Sequence, residues 1–373
     1  MGTITRNFAN NIVTGGKVDG TDGLTGTIPA SNVANDTLGN LTAFPATVGD
    51  FVEVTASDVP ASPSTVGQLF YNSTSGTLKG ISAVAAAWAS GANYPTNVQG
   101  SGSDGTQTAA YSAGGGPGTI PGTKLYDGTS WTDDANSLNT LRSLMGSCGT
   151  QTAGFVFGGD PVTTSSEQWD GSTWTSTSAL DSSKANLAGT GNQTAALAFG
   201  GYTGPPTTRL NTTESWDGST WTAAPNLTTI KQGPGGFGTQ TAAVAFGGLV
   251  SYPPTTLTNT TDEYNGSSWS SGGTYPVALN DASGTGTQTA GLGFGGYITS
   301  PPNRLSSANL YNGTAWTATS SLSQEKWYVG KAGGPTGQTD GLAIGGNIST
   351  PGGTNSVEEY NAAPIGVVTL TTS

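Results

Sequence analysis

The chain contains no histidine and only one cysteine in 373 residues. Without imidazole it lacks the side chain that most often acts as a general base near pH 7 and most often ligates a metal. Ser-His-Asp and Cys-His nucleophile systems are therefore excluded. With Cys148 alone, neither an intrachain disulfide nor a Cys-based metal cluster can form. Charge is scarce too: Asp, Glu, Lys and Arg make up 9% of the chain, against about a quarter in ordinary domains. Only 11 residues are basic, and the formal charge is -12. A surface of that sign repels phosphate backbones and anionic membranes, so nucleic acid is not an expected partner. No run of 18 apolar residues is present, so no membrane-inserted helix is expected. The first residues lack the basic-then-apolar pattern of a secretory signal. No cofactor and no metal is expected.

Glycine is abundant, with 59 residues, about twice the usual share of roughly 7%. A chain so poor in charge and rich in glycine could be suspected of disorder, but 9 Trp, 12 Tyr and 10 Phe at recurring positions supply apolar surface for a core. The recurrence is regular. Gln107, Gln151, Gln193, Gln240, Gln288 and Gln338 are each followed by Thr, and seven residues on from the glutamine by a Gly-Gly pair starting at Gly114, Gly158, Gly200, Gly247, Gly295 and Gly345. The intervals between glutamines are 44, 42, 47, 48 and 50. That is the period of a four-stranded propeller blade, longer than that of helical or leucine-rich repeats.

Within the second repeat, short β-prone runs bounded by Gly, Asp or Ser predict strands over 144–149, 152–157, 166–169 and 173–177. The third and fourth are joined by Asp170-Gly171, matched elsewhere by Asp127-Gly128, Asp217-Gly218, Asn265-Gly266 and Asn312-Gly313, pairs that suit a type I′ hairpin. A tryptophan follows each glycine by three residues: Trp131, Trp174, Trp221, Trp269 and Trp316. These are expected to pack between blades, and the Gly-Gly pairs to end the second strands where backbone bends or approaches closely. The sixth repeat lacks the hairpin glycine and the tryptophan, reading Glu358-Glu359-Tyr360-Asn361-Ala362. Left so, its blade would keep an open edge. The stretch from Trp88 to Tyr94, which precedes the first inner strand as the other tryptophans precede theirs, is expected to supply the missing outer strand. The fold expected is all-β: a six-bladed propeller of four-stranded antiparallel blades, closed by an N-terminal strand around Trp88.

The order of parts resembles the kelch repeat over about residues 86–363: basic residue, inner strand, second strand ending in Gly-Gly, acidic residue before an aromatic, then Trp. Gln168 and Ser215 depart from the pattern by standing between the acid and the aromatic. The kelch-type copper oxidases need His and a Tyr-Cys pair, so that activity is not implied. The spelling Gly-Thr-Gln-Thr-Ala with Asp-Gly-Ser-Thr-Trp is similar to kelch-like propellers in tailed-bacteriophage virion proteins. The stretches 25–33 and 66–72 are similar to segments of phage tail and fibre proteins, where an N-terminal part docks on the particle. The resemblance implies an N-terminal docking segment (1–85) contacting other virion proteins, a propeller (86–363) and a C-terminal tail (364–373), in many copies on a virion.

Two sets of residues are candidates for binding. Connections alternate between the faces of a four-stranded blade, so the tight turns lie on one face and the longer second-to-third loops on the other. Those loops carry Tyr202 with Pro205-Pro206, Tyr252 with Pro253-Pro254, and Tyr297 with Pro301-Pro302, rigid aromatic groups suited to glycan or protein recognition; the alternative is that they pack on their own blades. Arg142, Lys184, Lys231 and Lys326 fall ten or eleven residues after a tryptophan. They are expected either to ring the channel mouth and attract an anion, or to satisfy carbonyls and strand ends nearby. The expected function is non-enzymatic: a tail fibre or tail appendage that presents the propeller to a host-surface glycan or protein. Alternatives are a capsid or neck decoration, a secreted bacterial lectin or adhesin, and a glycan-degrading enzyme, since hydrolysis by paired carboxylates needs neither His nor Cys. Propeller sialidases grip substrate with several arginines, whereas this chain has Arg6, Arg142, Arg209 and Arg304. A Ca²⁺ site at Asp127, Asp170 or Asp217 lacks dense carboxylate spacing.

Overall fold

The inner strands are rich in glycine and serine because six of them must crowd around one axis. In Gly146–Thr150 a side chain at Gly146 would stand 2.4 Å from the Phe157 ring, so only hydrogen fits. The second strands, Ala153–Phe157 for example, are buried between neighbouring blades and read as nearly continuous apolar runs. The third strands, such as Ser166–Trp169, bury all but one residue, and the fourth, such as Trp174–Ser176, keep the Trp inside and expose the rest. One blade thus grades from crowded backbone at the axis to solvated edge.

The computed structural model describes residues 53–55, 57–58, 69–72, 74–75, 77–83, 86–118, 120–348, 352–362 and 365–369. Two units are distinguished, 86–362 and 1–85 with 363–373. The first is a six-bladed propeller. Its complete local blades are 102–134, 146–176, 188–224, 235–271 and 283–319, each an antiparallel sheet in which the four strands lie in chain order. We number them blades 1 to 5.

Blade 6 takes Gly330–Ala332, Asp340–Ile344 and Val357–Asn361 from the end of the unit and Ala87–Ser90 from its beginning. Tyr360 pairs with Trp88 across this seam, the same rung that joins Trp169 to Trp174 and Tyr126 to Trp131 in local blades. The Trp88 ring lies 5.2 Å from Tyr360 and 5.1 Å from Phe294 of blade 5, and its N–H donates to the Ser320 carbonyl at 3.0 Å. The inner strand of blade 6 packs beside that of blade 1, so the ring closes as the missing tryptophan of the sixth repeat foretold.

The repeated residues hold blade to blade. Gln193 of blade 3 donates its amide to the carbonyls of Trp169 (2.6 Å) and Gly154 (2.8 Å) in blade 2, and the other five glutamines reach back in the same way. Gln107 makes this bond to Tyr360, across the closure. The indole N–H groups of Trp174, Trp221, Trp269 and Trp316 donate at 2.7–3.1 Å to Thr123, Ser166, Thr213 and Thr261, which begin the third strand of the preceding blade. In the Gly-Gly pair both residues are left-handed, Gly158 at φ 63° and Gly159 at 119°. The Gly159 N–H donates forward to the Lys184 carbonyl at 2.9 Å, and a side chain on Gly158 would strike that same oxygen at 2.6 Å.

The hairpin between third and fourth strands differs from expectation. A type I′ turn needs positive φ at both central residues. Here four residues separate the paired Tyr126 and Trp131, and of Asp127 and Gly128 only the glycine is left-handed (φ 92°). Asp127 instead turns its carboxylate onto the N–H groups of Thr129 (2.8 Å) and Ser130 (2.7 Å), an Asx-type turn that closes the loop through the side chain. These N–H donors hold the Asp127 carboxyl down at about 2, and Asp170 and Asp217 behave alike.

The described residues of the second unit form a four-stranded sheet. Glu53–Thr55 runs parallel to Leu69–Asn72, which pairs antiparallel with Thr77–Ala83, which pairs antiparallel with Ile365–Thr369. The stretch read as a C-terminal tail therefore supplies a strand. Phe70 is buried, and Asn72 accepts N–H bonds from Thr74 and Ser75 in the turn. The stretch 25–33 and residues 66–68 lie outside the described residues.

Candidate binding site on the loop face

The four basic residues do not ring a channel mouth. Arg142, Lys184, Lys231 and Lys326 are all completely buried. Arg142 pairs with Glu167 at 2.6 Å, Lys184 with Glu214 at 2.7 Å and Lys326 with Glu358 at 2.7 Å, each tying the start of an inner strand to the third strand of its own blade. Lys231 has no such carboxylate contact and donates to the Thr260 carbonyl at 3.0 Å, while Asp262 binds Thr228. Burial pushes the Lys231 ammonium down to about 8, opposed by the Asp262 charge. Alternation along the third strand explains Gln168 and Ser215: they face away from the buried acids, toward Gln193 and Gln240 of the next blade.

Two residues beyond the four basic residues, and beyond Val98 and Leu279 at the same place in the other two blades, the chain does something sequence reasoning missed. Gly100, Leu144, Asn186, Gly233, Asp281 and Tyr328, one per blade, are all left-handed, with φ between 51° and 62°. Each N–H donates to the carbonyl of the preceding member, and Gly100 donates to Tyr328, so six backbone hydrogen bonds of 2.7–3.2 Å close a circle around the axis. Four members are not glycine. Leu144 and Tyr328 in this conformation are unfavourable in isolation and are held by the ring.

Asp281 spans this circle. Its carboxylate accepts from Asn186 Nδ2 at 2.8 Å and Asn280 Nδ2 at 2.6 Å, and the Tyr328 phenol faces it as well. The bond to Asn186 passes over Gly233, where a Cβ would stand 2.0 Å from Asp281 Oδ1. Burial pushes the Asp281 carboxyl up to about 7, against the hydrogen bonds of Asn186 and Tyr328. Below lies a cavity of about 90 Å³ lined by the starts of all six inner strands, among them Ser101, Ser147 and Lys331. Lys331 reaches from blade 6 across the axis and donates to the Gly236 carbonyl of blade 4 at 2.7 Å. Burial lowers its pKa and raises that of Asp104 in blade 1 to about 6, each opposed by the other's charge. The axis is thus spanned by its own polar groups. Among the described residues no cluster of three or more Cys, Asp or Glu stands ready for a metal ion.

The loop tyrosines diverge. Tyr202 is half-buried; burial raises its pKa, helped by the Asp160 charge that it faces. Tyr297 is half-buried, its ring 5.1 Å from Trp327. Tyr252 alone stands out, at 65% exposure. It tops the hairpin of Leu249–Ser251 and Thr256–Leu257 in blade 4, beside the hairpin of Tyr202–Thr203 and Thr208–Arg209 in blade 3. The Arg209 guanidinium carbon lies 5.9 Å from the Tyr252 ring centre. Pro205, Pro206, Pro253, Pro254, Pro301 and Pro302 are all exposed. The Pro254 carbonyl accepts from Ser251 Oγ at 3.1 Å, which fixes the tip. The six repeat tryptophans, by contrast, pack between blades, Trp174, Trp221 and Trp269 buried and Trp88, Trp131 and Trp316 partly so.

No protein-family model and no curated protein sequence matches this chain. Among solved structures it is similar to the one described as "Structure of YjhT", with a TM-score of 0.61 and 13% sequence identity, over 74% of this chain and 99% of that one. At that identity the likeness concerns the fold alone: the unit 86–362 is a six-bladed, kelch-like β-propeller.

Proposed function

We propose that this chain is a non-enzymatic structural and adhesive component of a bacteriophage particle, a tail fibre or tail appendage, whose propeller presents its loop face to the host surface. Residues 1–85 serve in this reading as the docking part, and many copies add weak contacts by avidity. The observation that carries the reading is the contrast between the two kinds of repeated residue. Glutamines, tryptophans, glycine pairs and buried ion pairs are committed to joining blades, whereas the long loops of blades 3 and 4 hold out an exposed Tyr252 on a fixed tip. A rigid aromatic loses little entropy on binding.

The test follows from the placement of the three tyrosines. Tyr252→Ala leaves the ring intact and is expected to lower adsorption of particles to host cells about tenfold, or about 1.4 kcal/mol. Imaging the labelled chain on intact particles locates it at the tail or elsewhere. Unchanged adsorption by the folded variant defeats the adhesive role.

A further inference from the structure

We propose that the paired hairpins of blades 3 and 4 form a subsite for an acidic saccharide, with Arg209 holding its carboxylate or phosphate and Tyr252 stacking on its sugar ring; this rests on reading the loop face as the host-facing surface.

The charge inventory points there. Nine of the 11 cations are among the described residues. Lys79, Lys124, Arg142, Lys184 and Lys326 pair with acids, and Lys231 and Lys331 donate to backbone carbonyls. Arg209 and Arg304 are left over: neither has an ion pair, and the Nε of each is buried without a hydrogen-bond partner. Both stand on the long loops. The loops 202–211, 249–258 and 297–305 hold these two arginines and none of the chain's 23 acids. A chain of charge -12 thus keeps three acid-free loops and places on two of them the guanidinium groups that no carboxylate holds.

The geometry names the ligand's two halves. With the Tyr252 ring along one side, at the outer limit of cation–π range, and Nε buried, the guanidinium keeps its two terminal nitrogens without protein hydrogen bonds, and their paired N–H groups match a carboxylate or phosphate. Tyr252 offers a flat apolar surface fit for the C–H face of a pyranose. Asp160, which follows the second strand of blade 2, faces Tyr202. Surrounding negative charge disfavours a dense polyanion such as nucleic acid and allows a saccharide whose acidic groups are spaced by sugar rings.

Titration calorimetry of the intact chain at low ionic strength tests this with alginate oligosaccharide for the carboxylate arm, a phosphorylated mannan for the phosphate arm, and neutral dextran and polyglutamate as contrasts. Saturable binding of either acidic saccharide, absent with dextran and weaker with polyglutamate, is expected. Arg209→Gln and Tyr252→Ala should each weaken it about tenfold, with Arg209→Lys between Gln and wild type, at unchanged melting temperature. The proposal is overturned by equal binding of the Gln variant, by dextran binding as well as the acidic sugars, by polyglutamate matching them, or by no saturable binding at all. If binding fails while Tyr252→Ala still lowers cell adsorption, the adhesive role stands and only the acidic saccharide falls; if adsorption is also unaffected, both fall.

Discussion

Asp281 shows how a single side chain can set the pH response of the ring. Its carboxyl is raised to about 7 in the folded chain, and that of Asp104 to about 6, both by burial. A raised folded pKa means the native state holds protons that the unfolded chain releases, so this part of the stability is present below about pH 4 and is lost as pH rises through 6 to 7. Asp127, Asp170 and Asp217 act oppositely: held at about 2 by backbone N–H groups, they withdraw their contribution as pH falls from 4 toward 2. Melting temperature is therefore expected to peak near pH 4 to 5 and to decline toward neutrality. Asp281→Asn should make that decline shallower, and a flat wild-type profile from pH 5 to 8 would contradict the assignment. None of this was readable beforehand. The partner Asn186 lies 95 residues away, and a left-handed backbone at Leu144 or Tyr328 leaves no trace in residue type. The available signal was positional, two residues past the basic residue in four of the six repeats, and absent at Asp281 itself, which stands two residues past Leu279.

At the level of strands, the recurring glutamine is the part whose role was hidden and whose recurrence was plain. It marked the period because every blade needs the same amide at the same height to reach the carbonyls of its neighbour. Gln193→Ala removes the part-buried bonds to the Trp169 and Gly154 carbonyls, at an expected cost of about 1 kcal/mol. Trp221→Ala, which empties the space between Phe155, Phe157 and Trp216, should cost about 3–5 kcal/mol in the same denaturation series. A glutamine variant as stable as wild type would remove the staple from the account. Strand positions were legible to within two residues because short β runs and their glycine boundaries are local features. The basic residues were harder, since only the packed blade reveals that Arg142 meets Glu167 out of water and is no surface charge.

For the propeller as a whole, closure depends on Ala87–Ser90, which sits at one end of the unit's sequence and completes the sheet made at the other. Deleting residues 1–95 should abolish a single cooperative unfolding transition, and a truncated chain that melts as sharply as the intact one would show the seam to be dispensable. The seam was legible because a repeat missing its tryptophan and a tryptophan missing its repeat occur in one chain. Its geometry carries a mechanical consequence. Residue 87 lies opposite 361 and residue 90 opposite 358, so the chain enters and leaves the ring side by side on antiparallel neighbours. Tension drawn between those two ends would unzip the seam one rung at a time and open the ring, whereas a thrust taken on the far face would be shared among six wedges pressing on a common hub.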